Sequence, residues 1–175
     1  KTSLPGPKIA LIQGSIDTEM KYDPNSSKNV YDHYMSLSQS AVTADPTVQL
    51  IVWPETMFPY QTMSLSEDYE PGPNDPWTIE MIRQGADLNQ LAIATTAERL
   101  GRPLLIGIGA EQYTKGNVRR WNSALYTDAH GNHKGRYDKC HAVPFGEYTP
   151  FAETFPFLYN LTPLTGGIEE GKRAE

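Results

Sequence analysis

The sequence is short of three features, each of which would indicate a particular class of protein. It has a single cysteine, Cys140, which excludes an internal disulfide framework and a metal site built from several thiolates. It has no apolar run close to the roughly 20 residues that a membrane-spanning helix needs. It also lacks a basic excess. A formal net charge of −6 argues against nucleic acid as a partner, because phosphate binding normally requires clustered Lys and Arg.

The composition is that of an ordinary globular domain, with 38% hydrophobic and 21% charged residues in a chain of 175. An apolar segment over residues 8–16 predicts a buried strand. The Asp-Pro-Asn at 23–25 then predicts a turn before a helix that reaches about Ala44. Residues 48–53 predict a second buried strand, and the Pro- and acid-rich residues 59–77 predict a long surface loop.

The second half of the chain is richer in strands. We expect a helix over residues 87–100 that ends at Gly101, and a buried strand over residues 103–110. Two more strands, over residues 121–128 and 135–143, flank a turn at Gly131. Strands and helices that alternate, and then give way to successive strands, predict an α/β layered fold with helices packed on a sheet.

Glu55 is the first candidate for chemistry, because it follows a buried strand immediately, inside the sequence WPET. The carboxyl ends of strands in α/β sheets are where ligands and catalytic groups collect. A carboxylate that is partly desolvated there is suited to work as a general base. The alternative is a helix or turn cap, which is the commoner role for a lone glutamate at such a position.

Lys139 is the second candidate, because strand alternation over residues 136–143 places it on the same side as Tyr137 and His141. A lysine on the inward face of a strand is costly unless it is paired, and Glu55 or Glu147 could pair it. A lysine held in this way could stabilise an oxyanion. The alternative is an ordinary surface lysine.

Cys140 and His141 are neighbours on the same predicted strand and therefore point to opposite faces, which argues against a thiol–imidazole pair. A free cysteine is usually a small buried hydrophobe. The other histidines, His33, His130 and His133, are scattered and have no carboxylate or thiolate at ligand spacing. We therefore expect no metal ion and no cofactor.

Residues 150–167 concentrate aromatic side chains between prolines and glycines, without a helix or strand period. Phe151, Phe155 and Phe157 are the candidates for substrate binding there. One interpretation is a loop whose aromatics tuck under the domain. The other is an apolar lip that touches acyl chains or a membrane surface.

Five blocks together resemble the carbon–nitrogen hydrolase (nitrilase) superfamily in order and rough spacing. They are KIALIQGSI, IVWPETMFP, PLLIGIGA, WNSALY and YDKCHAVPFGEYTPF. The WPET and VPFGEY forms, with QG after the first strand, are most similar to the apolipoprotein N-acyltransferase family. The resemblance covers roughly residues 8–171, and it makes residues 1–175 one carbon–nitrogen hydrolase domain whose C-terminal part is missing.

The resemblance implies an α/β fold of the αββα sandwich type, of which this chain would form the N-terminal two-thirds. It also implies a Glu–Lys–Cys triad in which Glu55 is the general base and Lys139 stabilises the tetrahedral oxyanion. Glu147 would support both the lysine and the nucleophile. The cysteine takes an acyl chain from a phospholipid as a thioester, and then passes it to the α-amine of the N-terminal diacylglyceryl-cysteine of an apolipoprotein.

The family's setting is the bacterial inner membrane, with this domain on the periplasmic side and membrane-spanning helices upstream of residue 1. Its nucleophilic cysteine lies downstream of VPFGEY, and this chain reaches Glu175 without it, so we expect the 175-residue chain to be inactive alone. Tyr22 stands where the family carries a tryptophan after its first strand, and we expect it to contact substrate. Sheet edges left unpaired would favour association between copies.

Two other functions stay open on the sequence. A soluble nitrilase-type amidase would share Glu55 and Lys139 but would hydrolyse a small amide. A non-catalytic binding domain would keep the sandwich without a nucleophile. The complete reading frame distinguishes the three: upstream membrane spans with a downstream cysteine indicate the acyltransferase, a cysteine alone the amidase, and a natural stop near Glu175 the binding domain.

Overall fold

A computed structural model describes residues 6–16, 27–72, 75–141 and 167–172, and these residues form six strands and two helices. In chain order the elements are β1 (Ile9–Leu11), α1 (Ser27–Ala44), β2 (Leu50–Trp53), β3 (Gln61–Leu65), α2 (Ile79–Leu100), β4 (Leu104–Thr114), β5 (Asn117–Thr127) and β6 (His133–Asp138). Within the described residues, neither helix combines the length and the apolar content that a bilayer crossing requires.

All six strands belong to one mixed sheet. The order across it is β1, β2, β4, β5 and β6, with the first three parallel and the last two added antiparallel. The long strand β4 has two parallel neighbours along the same edge. Strand β2 pairs with its first part, and β3 pairs with the part from Gly109 to Tyr113. The chain between β2 and β3 passes over β4 at Gly107.

Both helices pack on the same face of this sheet. Their buried residues share one core with alternate residues of β2, β4 and β5, including Tyr34, Ile93, Trp53, Ile106 and Leu125. This alternation is what a strand needs when one of its faces is covered. The predicted helices and α/β class are confirmed, and the described residues form one helical layer and one sheet layer of the αββα arrangement.

The opposite face of the sheet carries apolar side chains that no described element covers. Leu11, Val52, Leu105 and Tyr126 pair in register across four strands, so they form one row on this face. Leu11 is 77% exposed and Tyr126 is 42% exposed. In an αββα sandwich, this is the face that a second sheet would cover.

The helix ends follow from local chemistry. Thr78 caps α2 by accepting a hydrogen bond from the backbone N–H of Met81, and Gly101 ends the helix in the left-handed conformation with φ of 60°. The helix begins at Ile79, eight residues before the predicted start at residue 87. Gly85 lies inside it, and a Cβ there would be 2.9 Å from the sulfur of Met63 on β3. That glycine therefore serves close helix–strand packing and does not mark a helix end.

The prediction of a surface loop over residues 59–77 is wrong in part. Residues Gln61–Leu65 form β3, and Tyr69 is buried against Tyr113 and donates its hydroxyl to the carbonyl of Trp77 at 2.9 Å. The strand was missed because prolines and acidic residues surround it, although Met63 and Leu65 alternate with Thr62 and Ser64 at the period of a strand. Strand β1 is also shorter than predicted, and it covers Ile9–Leu11 of residues 8–16.

Candidate active site

Glu55 lies where the chain leaves β2 and crosses over β4. The crossing is close because Gly107 of β4 has no side chain: a Cβ there would be 2.4 Å from the carbonyl oxygen of Pro54 and 2.5 Å from the Cα of Glu55. The backbone N–H of Phe58 then donates to the carbonyl of Gly107 at 3.3 Å. Glu55 is thus held over the face of the sheet that the helices leave open.

The turn that carries Glu55 is locally strained. Thr56 has φ of 55°, in the left-handed region that a β-branched residue rarely adopts. Buried rings flank the turn on both sides, since Trp53 is 2% and Phe58 is 3% exposed and their centroids are 5.9 Å apart. Trp53 is itself fixed by a 2.9 Å hydrogen bond from its indole Nε1 to the buried hydroxyl of Ser38. These anchors hold the turn in its strained conformation.

Lys139 follows the last residue of β6 and stays in register with β5, because its backbone N–H donates to the carbonyl of Asn122 at 2.8 Å. Tyr137, two residues earlier, pairs with Ala124. Tyr137 and Lys139 both line the pocket that also contains Glu55. The predicted strand alternation is therefore confirmed for these two residues.

The two predicted catalytic groups meet. The Nζ of Lys139 is 3.4 Å from Oε1 of Glu55, and the side-chain amide of Asn122 donates a short hydrogen bond to the same oxygen. Glu55 is one of the two carboxylates predicted to pair with this lysine, and the other, Glu147, lies outside the described residues. The carboxylate is less desolvated than expected, since the side chain of Glu55 is 55% exposed and that of Lys139 is 30% exposed.

The pocket around this pair has a volume of about 370 Å³. Much of its wall is apolar and comes from β2, β4, β5 and β6, through Val52, Leu105, Ala124 and Tyr137. The polar groups Glu55, Lys139 and Asn122 converge on one side of it. An apolar pocket with a few convergent polar groups is the usual form of a small-molecule site.

Cys140 is not among the residues that line this pocket. Its Sγ is 3.3 Å from the hydroxyl of Tyr137 and 3.3 Å from the carbonyl oxygen of Lys172. The hydrogen bond to Cys140 raises the pKa of the Tyr137 hydroxyl. Cys140 therefore lies outside the pocket that Glu55 and Lys139 share.

The remaining candidate residues lie outside the described residues. They are Glu147, Tyr22, Phe151, Phe155 and Phe157. Their predicted roles, support of the lysine for Glu147 and substrate contact for the others, stay predictions. Across the described parts of the chain, no group of three or more His, Cys, Asp or Glu side chains is placed to hold a metal ion.

Two residues of the site were missed by sequence reasoning. Asn122 lies in the block WNSALY, where a polar residue between aromatic and small residues on a strand was a usable signal. Gly107 lies in PLLIGIGA, where a glycine inside a strand can indicate close approach of another backbone. Both act on Glu55, which is 67 residues from Asn122 along the chain.

The class of protein follows from a family comparison. Residues 8–166 match the sequence model of the family described as carbon–nitrogen hydrolase, and the chain belongs to that family. A solved carbon–nitrogen hydrolase from Helicobacter pylori G27 has the same fold, with a TM-score of 0.52 and 19% identity over 81% of this chain and 42% of that chain.

Within the family, the chain is similar to curated apolipoprotein N-acyltransferases, as the resemblance predicted. It is 32% identical to the protein from Geobacter metallireducens over 164 residues, which are 94% of this chain and 27% of the relative. It is 33% identical to the protein from Rhizobium rhizogenes over 166 residues, which are 93% of this chain and 27% of the relative. The chain therefore spans about a quarter of the length of these relatives.

Proposed function

We propose that this chain is the part of a phospholipid–apolipoprotein N-acyltransferase that carries the general base and the oxyanion-stabilising lysine. The observation that carries the proposal is the contact between Glu55 and Lys139, two residues 84 positions apart that meet at 3.4 Å in an apolar pocket. The name that the relatives share supplies the reaction and the acceptor: transfer of an acyl group to an amine of an apolipoprotein.

Glu55 has the geometry of a base. The ammonium of Lys139 and the side-chain amide of Asn122 both reach Oε1 and hold that oxygen in place. Oε2 can then accept a proton from a thiol that enters the pocket. The Nζ of Lys139 beside it supplies positive charge where the carbonyl oxygen of an ester or thioester becomes an oxyanion.

The proposed reaction has two half-reactions. In the first, a cysteine thiol gives its proton to Glu55 and its sulfur attacks the ester carbonyl of a phospholipid. The tetrahedral intermediate collapses, the thioester forms, and the lysophospholipid oxygen leaves with the proton from Glu55. In the second, the α-amine of a diacylglyceryl-cysteine attacks the thioester, its proton passes through Glu55 to the departing thiolate, and an amide is formed.

The thiol in this scheme comes from outside residues 1–175. Cys140 is the single cysteine of the chain, and its sulfur contacts Tyr137 and Lys172 and does not line the pocket. We therefore propose that the 175-residue chain forms no acyl-thioester by itself. Glu147 is proposed to support Lys139, and Tyr22 with the aromatics of residues 150–167 is proposed to receive acyl chains.

The phospholipid acyl donor and the lipoprotein acyl acceptor imply a cellular location for the reaction. Phospholipids and lipid-modified N-termini meet at a membrane surface, so we propose that the protein acts on the extracytoplasmic side of the bacterial inner membrane. Protease treatment of spheroplasts tests this. Digestion of an epitope placed in the Lys115–Gly116 turn between β4 and β5, without lysis, is expected, and protection until lysis would place the domain in the cytoplasm.

The decisive experiment follows the acyl-thioester in the protein expressed from its complete reading frame. With a phospholipid donor, intact-mass spectrometry should show an acyl adduct that hydroxylamine removes. Glu55→Gln should slow its formation by about 100-fold or more, as expected for loss of a general base. Lys139→Met should slow it by about 100- to 1,000-fold, because the oxyanion loses its positive partner.

The chain offers a matched control. Lys115 and Glu70 form an exposed ion pair at 3.1 Å, and the same substitutions there, Lys115→Met and Glu70→Gln, should leave the rate unchanged. A wild-type protein that forms no adduct but hydrolyses small amides, with dependence on Glu55 and Lys139, would identify an amidase. Absence of both activities would indicate a binding domain.

A further inference from the structure

Asn122 has two contacts that bring together the parts of the site. Its side-chain amide donates to Oε1 of Glu55, and its backbone carbonyl accepts the N–H of Lys139 at 2.8 Å. We propose that Asn122 is a positioning residue. Its side chain orients the general base Glu55, and its backbone carbonyl fixes the position of the Lys139 backbone.

Burial supports this role. Asn122 is 7% exposed, and a buried amide is costly unless it is hydrogen-bonded. It pairs with Gly109 across β4–β5, and Gly107, two residues earlier on β4, lies under the backbone of Glu55. The missing side chain at Gly107 lets Glu55 lie over β4, and its carboxylate reaches across that strand to the amide on β5. The room above Gly109 is taken by the side chain of Gln61.

The orientation of the carboxylate is the consequence. The side chain of Glu55 is more than half exposed, so its backbone position alone does not select one side-chain rotamer. An amide donor on Oε1, together with the ammonium of Lys139, selects one rotamer and presents Oε2 to an incoming thiol. This inference rests on the proposed function for its catalytic meaning, but the contact itself does not.

The test separates the hydrogen-bond donor of the Asn122 side chain from the volume that this side chain occupies. Asn122→Asp keeps the shape and the backbone bond to Lys139 but replaces the donor with a carboxylate beside Glu55. Asn122→Ala removes the side chain. In the complete protein, we expect Asn122→Ala to slow acyl-thioester formation by about 10- to 100-fold, since a hydrogen bond to a charged group is lost. Asn122→Asp should slow it more, because it loses the same hydrogen bond and also places a second carboxylate beside Glu55. KM for the phospholipid should change less than twofold in both.

The matched control is Asn117, an exposed asparagine at the start of the same strand. Asn117→Ala and Asn117→Asp should both leave the rate within twofold of the wild type. A role in packing alone predicts that Asn122→Asp is nearly as active as the wild type, because the two side chains have the same size. That result would overturn the proposal.

A second measurement does not depend on activity. A double-mutant cycle of Asn122→Ala and Glu55→Ala, followed by thermal unfolding, should give a coupling of about tenfold in the unfolding equilibrium constant. If the two substitutions are coupled but the wild-type protein forms no acyl-thioester, the positioning role stands and the proposed function does not. Additive effects of the two substitutions would falsify the positioning role.

Discussion

Gly107→Ala tests whether the crossing of the chain over β4 holds Glu55 in place. The new Cβ would be 2.4 Å from the carbonyl oxygen of Pro54, where ordinary van der Waals contact begins at 3.4 Å, so the atoms have to separate by about 1 Å. The obstructing atoms are backbone, and the turn is anchored by Trp53 and Phe58, so a change of side-chain rotamer cannot relieve the overlap.

The magnitude follows from overpacking. Forcing one extra methyl group into a tightly packed position costs about 1–3 kcal/mol of the free energy of unfolding. A shift of about 1 Å in Glu55 should also slow acyl-thioester formation by about 100-fold, because the reacting groups lose their alignment. Both effects have one cause and should appear together.

The assay is chemical denaturation followed by tryptophan fluorescence, with the rate of acyl-thioester formation measured on the same preparations. Gly135→Ala is the matched control, because Gly135 also lies in a strand and a Cβ there meets nothing within 4 Å. That control should change stability by less than about 0.5 kcal/mol. If Gly107→Ala were as stable and as active as Gly135→Ala, the close approach at Gly107 would not position the base.

Two further predictions concern the scaffold. Thr78→Ala removes the side-chain acceptor for the N–H of Met81 and should lower the free energy of unfolding by about 1 kcal/mol, measured by thermal denaturation; an unchanged midpoint would mean that Thr78 does not cap α2. Asp45 has a pKa lowered to about 2, first by the hydroxyl of Thr47 and then by Lys8. Its stabilising effect is therefore present above the ordinary pKa of 3.8 and is lost as the pH falls toward 2. Thr47→Val should raise that pKa in an NMR titration, and a pKa that stays near 2 would assign the effect to Lys8 and to the backbone N–H of residue 47.

The helical parts of the fold were predictable because their signals are local. The sequence Asp-Pro-Asn at 23–25 predicts that a helix follows, and the structure has that helix over Ser27–Ala44. Gly101 ends α2 as predicted because only a local left-handed turn is required there. The beginning of α2 was misplaced, since Gly85 weakens the helix signal and its purpose depends on the position of β3.

The strand β3 shows what local signals cannot supply. Its apolar alternation is limited to Met63 and Leu65, and the strand lies where the long strand β4 continues past the end of β2 and offers backbone groups from Gly109 to Tyr113. Backbone groups that are left unpaired in a sheet are costly when buried, so they select a partner by position. That selection depends on the sheet, and two apolar side chains are too few to predict it from residues 61–65 alone.

The site divides in the same way. Glu55 and Lys139 could be selected from short segments, since Glu55 follows a buried strand and Lys139 alternates with Tyr137 on another. Their meeting beside Asn122 and over Gly107 could not be predicted in this way, because those contacts join residues 67 and 84 positions apart. Distances of that kind are set by sheet order and by the room that a glycine leaves, and neither is encoded within any one segment.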